Sequence, residues 1–353
     1  MSLYSTLRPA MFKLPPEIAH RAAIAALKHG LVPPYNKRKH ASLRTNVAGL
    51  TFMNPVGLAP GFDKNAECFD GALRAGCGFV EIGTVTPLAQ AGNEQPRVFR
   101  LVEEEAIINR LGFNNEGAAA AVKRLQKRSL RGIIGGNIGK NKLSIDAVGD
   151  YVSAMKTLYP RVDYITANIS SPNTPGLRAL QAGDELRVLI REMQKLRAEL
   201  MGMGAPSRPI FVKIAPDCDG AMLEAIAQVA METKLDGLIV SNTTVTRDNV
   251  VDSIFSHETG GLSGKPLFMF STEILRAMYK LTGGAIPLIG VGGIASAHDA
   301  YKKIRAGASL VQLYTALVYQ GFGLIGQIND GLAELLERDG FATIADAVGV
   351  DSK

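Results

Sequence analysis

Residues 164–177 read YITANISSPNTPGL: an apolar run of strand character passes at once into Asn168, Ser170, Ser171, Asn173 and Thr174, with Pro172 and Pro175 among them. A surface turn is also polar, so the stretch taken alone fits a plain loop. Its meaning depends on whether the rest of the chain repeats the plan, and it does. Short apolar runs recur at 56–60, 79–84, 132–138, 164–169, 210–215, 238–242, 287–291 and 310–314. Helical spacing fills 66–76, 116–128, 145–158, 184–202, 220–233, 270–281 and 297–305, with a last helix over about 323–338. Eight strand–helix units in about 290 residues predict an α/β fold, a (β/α)8 TIM barrel. A doubly wound open sheet is the competing architecture, but it usually uses fewer strands.

The bulk numbers agree with a large core: 46% of residues are hydrophobic and 20% charged, the balance of a globular protein. No stretch approaches the run of about 18 uncharged apolar residues that marks a membrane span. No cleavable signal pattern opens the chain, so the cytoplasm is the default compartment. Cys68, Cys77 and Cys218 are odd in number and lack a C-x-x-C spacing, which predicts reduced thiols and no zinc or iron–sulfur site. No metal is expected, and nothing beside Cys218 marks it as a nucleophile.

Charge is placed unevenly. Residues 1–44 hold eight Lys and Arg against Glu17 alone, +7 in a chain whose total is +6, so the remainder stands near −1. That remainder has no basic surplus and no nucleic-acid module, which excludes nucleic acid as a partner. A basic N-terminal module facing an anionic surface fits better.

A barrel of this kind carries its chemistry just past the C-terminal ends of the strands. Those positions read APGFDKN (59–65), GTVTP (83–87), GGNIGKN (135–141), NISSPN (168–173), VKIAPD (212–217), VSNTT (240–244), GVGGI (290–294) and LYTAL (313–317). Polar or glycine residues at nearly every rim do not suit a set of chance loops. GVGGI before a helix offers main-chain N–H groups to a phosphate. Tight turns use glycine anyway, but strand seven beside Tyr314 and Thr315 is the usual phosphate position of such barrels.

Lys64 and Lys213 end strands one and five. A lysine aimed into a barrel mouth is costly unless it meets an anion; a side chain snorkelling to solvent is the plain alternative. Lys213 there would also suit a Schiff-base aldolase, with GVGGI holding a sugar phosphate. Asn109, Asn137, Asn168, Asn173 and Asn242 are singly turn residues, but together their paired donors and acceptors suit a planar heterocycle.

These strings, with QPRVFRL (95–101), INRLGFNN (108–115), NISSPNTPGLR (168–178) and GLSGKPL (261–267), resemble in sequence order the quinone-dependent, membrane-associated dihydroorotate dehydrogenases. The likeness runs from about residue 7 to residue 322. It implies one FMN per subunit, and oxidation of (S)-dihydroorotate to orotate in pyrimidine (UMP) synthesis. Electrons would pass to a membrane quinone, ubiquinone or menaquinone. By motif position it makes Ser171 the catalytic base, taking the C5 proton while hydride leaves C6; the soluble class has cysteine there. Thr174 and Phe113 would assist it.

The resemblance further implies substrate binding by Lys64, Asn109, Arg110, Leu111, Gly112, Phe113, Asn168, Asn173, Asn242 and Thr243. FMN binding would fall to Pro60, Gly61, Phe62, Asp63, Lys64, Thr84, Asn137, Asn168, Lys213, Ser241, Gly264, Gly293, Tyr314 and Thr315. Lys213 would face negative charge near flavin N1, which displaces the Schiff-base reading. His20, Arg100 and Tyr314 would line a quinone tunnel. A flavin barrel serving fumarate or NAD is the nearest alternative; the N-terminal extension, the serine and the lack of a cysteine cluster speak against it.

Two domains are expected: residues 1–44, a helical membrane and quinone-entry module, and residues 45–353, the barrel. Leu3, Leu7, Met11 and Leu14 suggest a first helix that Pro9 should break or delay. Pro15-Pro16 should end it, and Pro16 should open a second helix whose apolar side is Ile18, Ala22, Ala25 and 27–31. Fifteen helical residues reach only about 22 Å, too short to span a bilayer. From the residues, a cap packed on the barrel and an interfacial anchor fit equally. The resemblance selects the anchor, and with it a monomer lying peripherally on the cytoplasmic face of the membrane.

Overall fold

Eight parallel strands close into a barrel in chain order: Val56–Leu58, Phe79–Val85, Ile133–Ile138, Tyr164–Asn168, Ile210–Ile214, Gly237–Val240, Leu288–Val291 and Ala308–Leu313. The last strand pairs back to the first through Val311↔Val56 and Leu313↔Leu58. This computed structural model describes residues 3–35, 40–181 and 183–352. Of the basic residues counted above, Lys37, Arg38 and Lys39 lie outside the described residues. The (β/α)8 expectation holds. The outer layer comprises Phe69–Arg74, Ala118–Leu125, Ala147–Leu158, Gly183–Gly202, Gly220–Glu232, Phe268–Leu281, Ala297–Arg305 and Gly323–Asp339, with a short helix Thr315–Gln320 before the last.

The N-terminal half of the barrel interior is filled by pairing large residues with small ones. Phe79, Tyr164 and Phe211 each lie opposite a glycine on the adjoining strand, in the registers Gly57↔Phe79, Gly135↔Tyr164 and Gly237↔Phe211. A methyl group on any of the three glycines would fall inside the facing ring. The rings meet edge-on, Phe79 with Tyr164 at 6.5 Å and Tyr164 with Phe211 at 5.3 Å between centroids, the arrangement aromatic quadrupoles favour. The hairpin Thr45–Val47 with Leu50–Phe52 closes this end, its Phe52 ring 5.2 Å from Phe79. Helices are started by side chains that occupy otherwise unpaired N–H groups: Asp146 accepts from Gly149, Asp219 from Met222 and Ser296 from Asp299.

Two expectations need correction. The strand list omits Val98–Leu101, Ala106–Asn109 and Gly261–Gly264, which form a three-stranded antiparallel sheet outside the barrel. Each has only four residues, and the third pairs across some 150 positions of chain, so local periodicity carries no trace of it. The first helix, Leu3–Phe12, neither breaks nor starts late; Pro9 stands inside it. Pro9 removes one donor, while tertiary contacts hold the helix: Tyr4 O–H donates to Val318 O, Arg8 to Tyr319 O, and Phe12 meets the Tyr319 ring edge-on. The second helix, Pro16–Lys28, begins at Pro16 as expected.

Candidate active site

The strand ends surround one cavity of about 1120 Å³, larger than a single small-ligand site of roughly 300–1,000 Å³. It runs from the barrel mouth to the gap between the two N-terminal helices, where Leu7, Met11, Ala19, Ala22 and Ala26 line it.

At the mouth the side chains are tied sideways. Asn137 Nδ2 donates to Glu81 Oε1 (2.7 Å), Thr84 Oγ1 to Asn137 Oδ1 (2.6 Å), Asn168 Nδ2 to Thr84 Oγ1 (2.9 Å) and Asn242 Nδ2 to Asn168 Oδ1 (3.3 Å). Ser170 joins this chain by accepting from Asn242 and donating to Asn168 Oδ1. Such a network in a low-dielectric interior fixes each amide's orientation. Glu81 anchors it, also accepting from Tyr164 O–H (2.8 Å) and Gln312 Nε2 (2.7 Å). Its three donors satisfy both carboxylate oxygens, and Glu81 lies close enough to Lys213 to favour the ammonium form.

Lys213 pairs in register with Asn168. Among the described residues its ammonium makes no hydrogen bond, and it lines the cavity. Burial pulls its pKa down, and Glu81 pushes it back. Lys64 Nζ donates to Gly61 O (2.7 Å); burial brings its pKa to about 8, with Glu17 acting in the opposite sense. A second cation thus opens on the same space.

Ser171 lies buried at the mouth, its Oγ accepting from the Asn173 N–H at 3.2 Å. No hydrogen bond links it to Thr174 among the described residues. Asn173 Nδ2 donates to Asn109 O, and Asn109 Nδ2 reaches Gly261 O, so the outer sheet carries the far wall. At the opposite end, Gly264, Gly292 and Gly293 have φ of 102°, 115° and 74°, the region open to glycine. Thr315 Oγ1 donates to Ser263 Oγ beside them.

His20 extends this site toward the N-terminal helices. Its Nε2–H donates to Phe62 O (2.8 Å), and its ring meets Phe62 edge-on and lies 6.2 Å from Tyr314. Burial, then the Lys64 charge, lower its pKa to about 3, so it is neutral at physiological pH. Arg100 donates to Met11 O and Leu14 O, and lies 4.8 Å from the Phe12 ring. It caps the end of the first helix, where a cation is favourable.

Of the residues singled out in the sequence, Lys64, Asn109, Leu111, Gly112, Phe113, Asn168, Ser171, Asn173, Asn242 and Thr243 line the cavity. So do Pro60, Gly61, Phe62, Thr84, Lys213, Ser241, Gly264, Gly293, Tyr314, Thr315, His20 and Arg100. Three do not. Arg110 turns outward to Glu258, Thr259 O and Pro96 O and stacks on Phe99. Asp63 is buried, accepting the N–H groups of Glu67 and Cys68. Asn137 lies one layer below the cavity, within the Glu81 network. Sequence reasoning missed Glu81 and Gln312 of the network, and Asn114, which lines the cavity; a glutamate inside the apolar run FVEIGTV was the readable signal. Cys218 is no nucleophile, since burial raises its thiol to about 11 and it donates to Ala215 O.

Two lysines, a set of hydrogen-bonded amides and glycine turns surround one cavity at the C-terminal rim of the barrel, the place where enzymes of this fold carry their active sites. The sequence matches the profile of the dihydroorotate dehydrogenase family over residues 42–336. It is 53% identical over 355 residues to the dihydroorotate dehydrogenase (quinone) of Xanthobacter autotrophicus, with 99% of each chain covered. It is 49% identical to the mitochondrial dihydroorotate dehydrogenase (quinone) of Oryza sativa subsp. japonica, covering 98% of this chain and 80% of the rice protein. A crystal structure of DHODH in complex with ferulenol from Eimeria tenella superposes with a TM-score of 0.93 at 42% identity, covering 96% of both chains. The chain belongs to the dihydroorotate dehydrogenase family, a family of oxidoreductases.

Proposed function

We propose that this protein oxidises (S)-dihydroorotate to orotate in pyrimidine synthesis, with FMN as cofactor and a membrane quinone as final acceptor. The observation that carries this reading is the single cavity joining Lys213, Asn168 and Ser171 to the gap between the N-terminal helices. A site for one small substrate has no need of that apolar extension.

The residues fit FMN. A Cβ on Gly293 would stand 2.5 Å from Phe268 Cα and one on Gly264 would collide with Glu105 O, so both turns have room only for backbone, leaving their N–H groups for a phosphate. Gln312 Oε1, buried and without a partner among the described residues, offers an acceptor beside the cavity. Thr84, Asn168, Lys213, Ser241, Tyr314 and Thr315 would hold the remainder. When bound, FMN supplies the two-electron acceptor for the hydride of C6.

The protein's own groups supply binding and proton transfer. Lys64 and the amides of Asn109, Asn173 and Asn242 bind a planar anion with amide-like edges. Ser171 takes the C5 proton. A serine hydroxyl is a poor base at neutral pH; the Asn173 N–H donating to its Oγ favours the negative form. Ser171 itself is buried, and low access of water to its hydroxyl would strengthen that interaction. Lys213, whose ammonium form Glu81 supports, would favour negative charge on the ring.

In this reading residues 1–44 form the membrane and quinone-entry module and residues 45–353 the FMN barrel, acting as a monomer on the cytoplasmic membrane face. Leu7, Leu14 and Ile18 are 50%, 38% and 54% exposed, and Lys13, Arg21 and Lys28 of the same segment are exposed as well. Apolar and basic groups together suit the surface of an anionic membrane. Among the described residues no helix is long and apolar enough to cross one. The test is anaerobic mixing with dihydroorotate while flavin absorbance is followed. Bleaching that a ubiquinone analogue reverses, and fumarate or NAD does not, is the expected result. A flavin that dihydroorotate cannot bleach overturns the substrate.

A further inference from the structure

Lys303 belongs to none of the machinery above. It lies on the helix Ala297–Arg305, between the last two barrel strands, and is fully buried. A buried ammonium ordinarily meets a carboxylate. Among the described residues none stands within ion-pair distance of Lys303; its Nζ donates to Ser271 Oγ at 2.6 Å and lies 5.3 Å from the Phe268 ring centroid. Asp299 acts on it only through space, its carboxylate being engaged by the Ala295 N–H and the Ser296 hydroxyl.

The other side of Ser271 faces the glycine turn. Its Oγ lies 3.2 Å from both Gly292 O and Phe268 O, with its proton available to either. A Cβ on Gly292 would sit 2.7 Å from that Oγ, and one on Gly293 2.6 Å from Phe268 N. Ammonium, hydroxyl, turn and the start of the 14-residue helix Phe268–Leu281 therefore form one stack, with its outer side toward the cavity.

We propose that Lys303 is a positioning residue for the phosphate monoester docked on the Gly292–Gly293 turn: it is the buried counter-charge behind that turn and acts through Ser271. The proposal rests on the phosphate reading of the turn given above. An apolar side chain of similar length would pack there without the penalty of an unpaired charge. An anion across the turn supplies the missing opposite charge. Burial drives the Lys303 pKa well down, and a phosphate close by would restore it.

The test uses the full chain, stripped of flavin and titrated with FMN and with riboflavin, which lacks the phosphate. Lys303→Met should weaken FMN binding about tenfold, the scale of one charge-assisted interaction, and leave riboflavin within about twofold. Equal loss of both ligands, or no loss of FMN, overturns the proposal. Should Lys303→Met fail to fold, Ser271→Ala, which breaks the relay, must show the same selective loss of FMN. If the wild-type protein binds neither flavin, the FMN reading falls and inorganic phosphate becomes the probe. Equal thermal protection of wild type and Lys303→Met by phosphate would then overturn the role of Lys303.

Discussion

The two ends of the barrel are organised by opposite rules. At the N-terminal end Phe79, Tyr164 and Phe211 fill the interior against Gly57, Gly135 and Gly237. At the C-terminal end Thr84, Asn168 and Asn242 hydrogen-bond to one another around a cavity instead of filling it. One end is stable because space is occupied; the other stays open because its polar groups satisfy each other at the rim. Glu81 is the boundary, accepting from Tyr164 below and from Asn137 and Gln312 around it.

If the ends are separable, substitutions should affect either rate or stability. The largest effect is expected at the mouth. Ser171→Ala should slow flavin reduction by about 10²–10⁴-fold, the range of a lost general base, with an unchanged melting temperature and largely intact orotate binding. Equal loss of orotate binding would make Ser171 a positioning group. Gly135→Ala should do the reverse, destabilising by about 3 kcal/mol or more through overpacking on Tyr164. Chemical denaturation would measure it, and activity per folded molecule should persist.

Glu81→Gln tests the boundary. The amide cannot accept from all three donors, so stability should fall by about 2 kcal/mol, and Lys213 loses its facing charge. Both melting temperature and flavin-reduction rate should drop; a change in only one would place Glu81 wholly within one end.

A smaller effect follows from Lys64. With a pKa near 8, it is charged below that pH and neutral above it, so orotate affinity should fall as pH rises through 8, by at most about tenfold per unit. Apo-protein stability should move the other way between pH 8 and 10.5, since there the unfolded chain binds the proton that the folded protein has released. Calorimetric orotate titrations from pH 6 to 10 would show the first trend, and Lys64→Gln should flatten it.

What the sequence disclosed follows the same division. The strands and most of the mouth were readable because each rim residue lies beside its own strand in the chain. The aromatic–glycine pairs were not, because their members are separated by 22 to 29 positions and only barrel register joins them. Arg110 reads as a site residue in its motif, yet its direction is set by Glu258, 148 positions away. The outer sheet stayed hidden for the same reason. Pro9 misled because a local rule was overridden by Tyr4, Arg8 and Phe12 docking on 318 and 319.

The ring-over-glycine pairs also bear on how this chain can change over generations. Enlarging the glycine drives a methyl group into a ring, and shrinking the ring leaves a void; either single step lowers stability, while the double exchange need not. The closed end of the barrel should therefore drift two sites at a time, whereas the surface of the outer helices can drift one residue at a time.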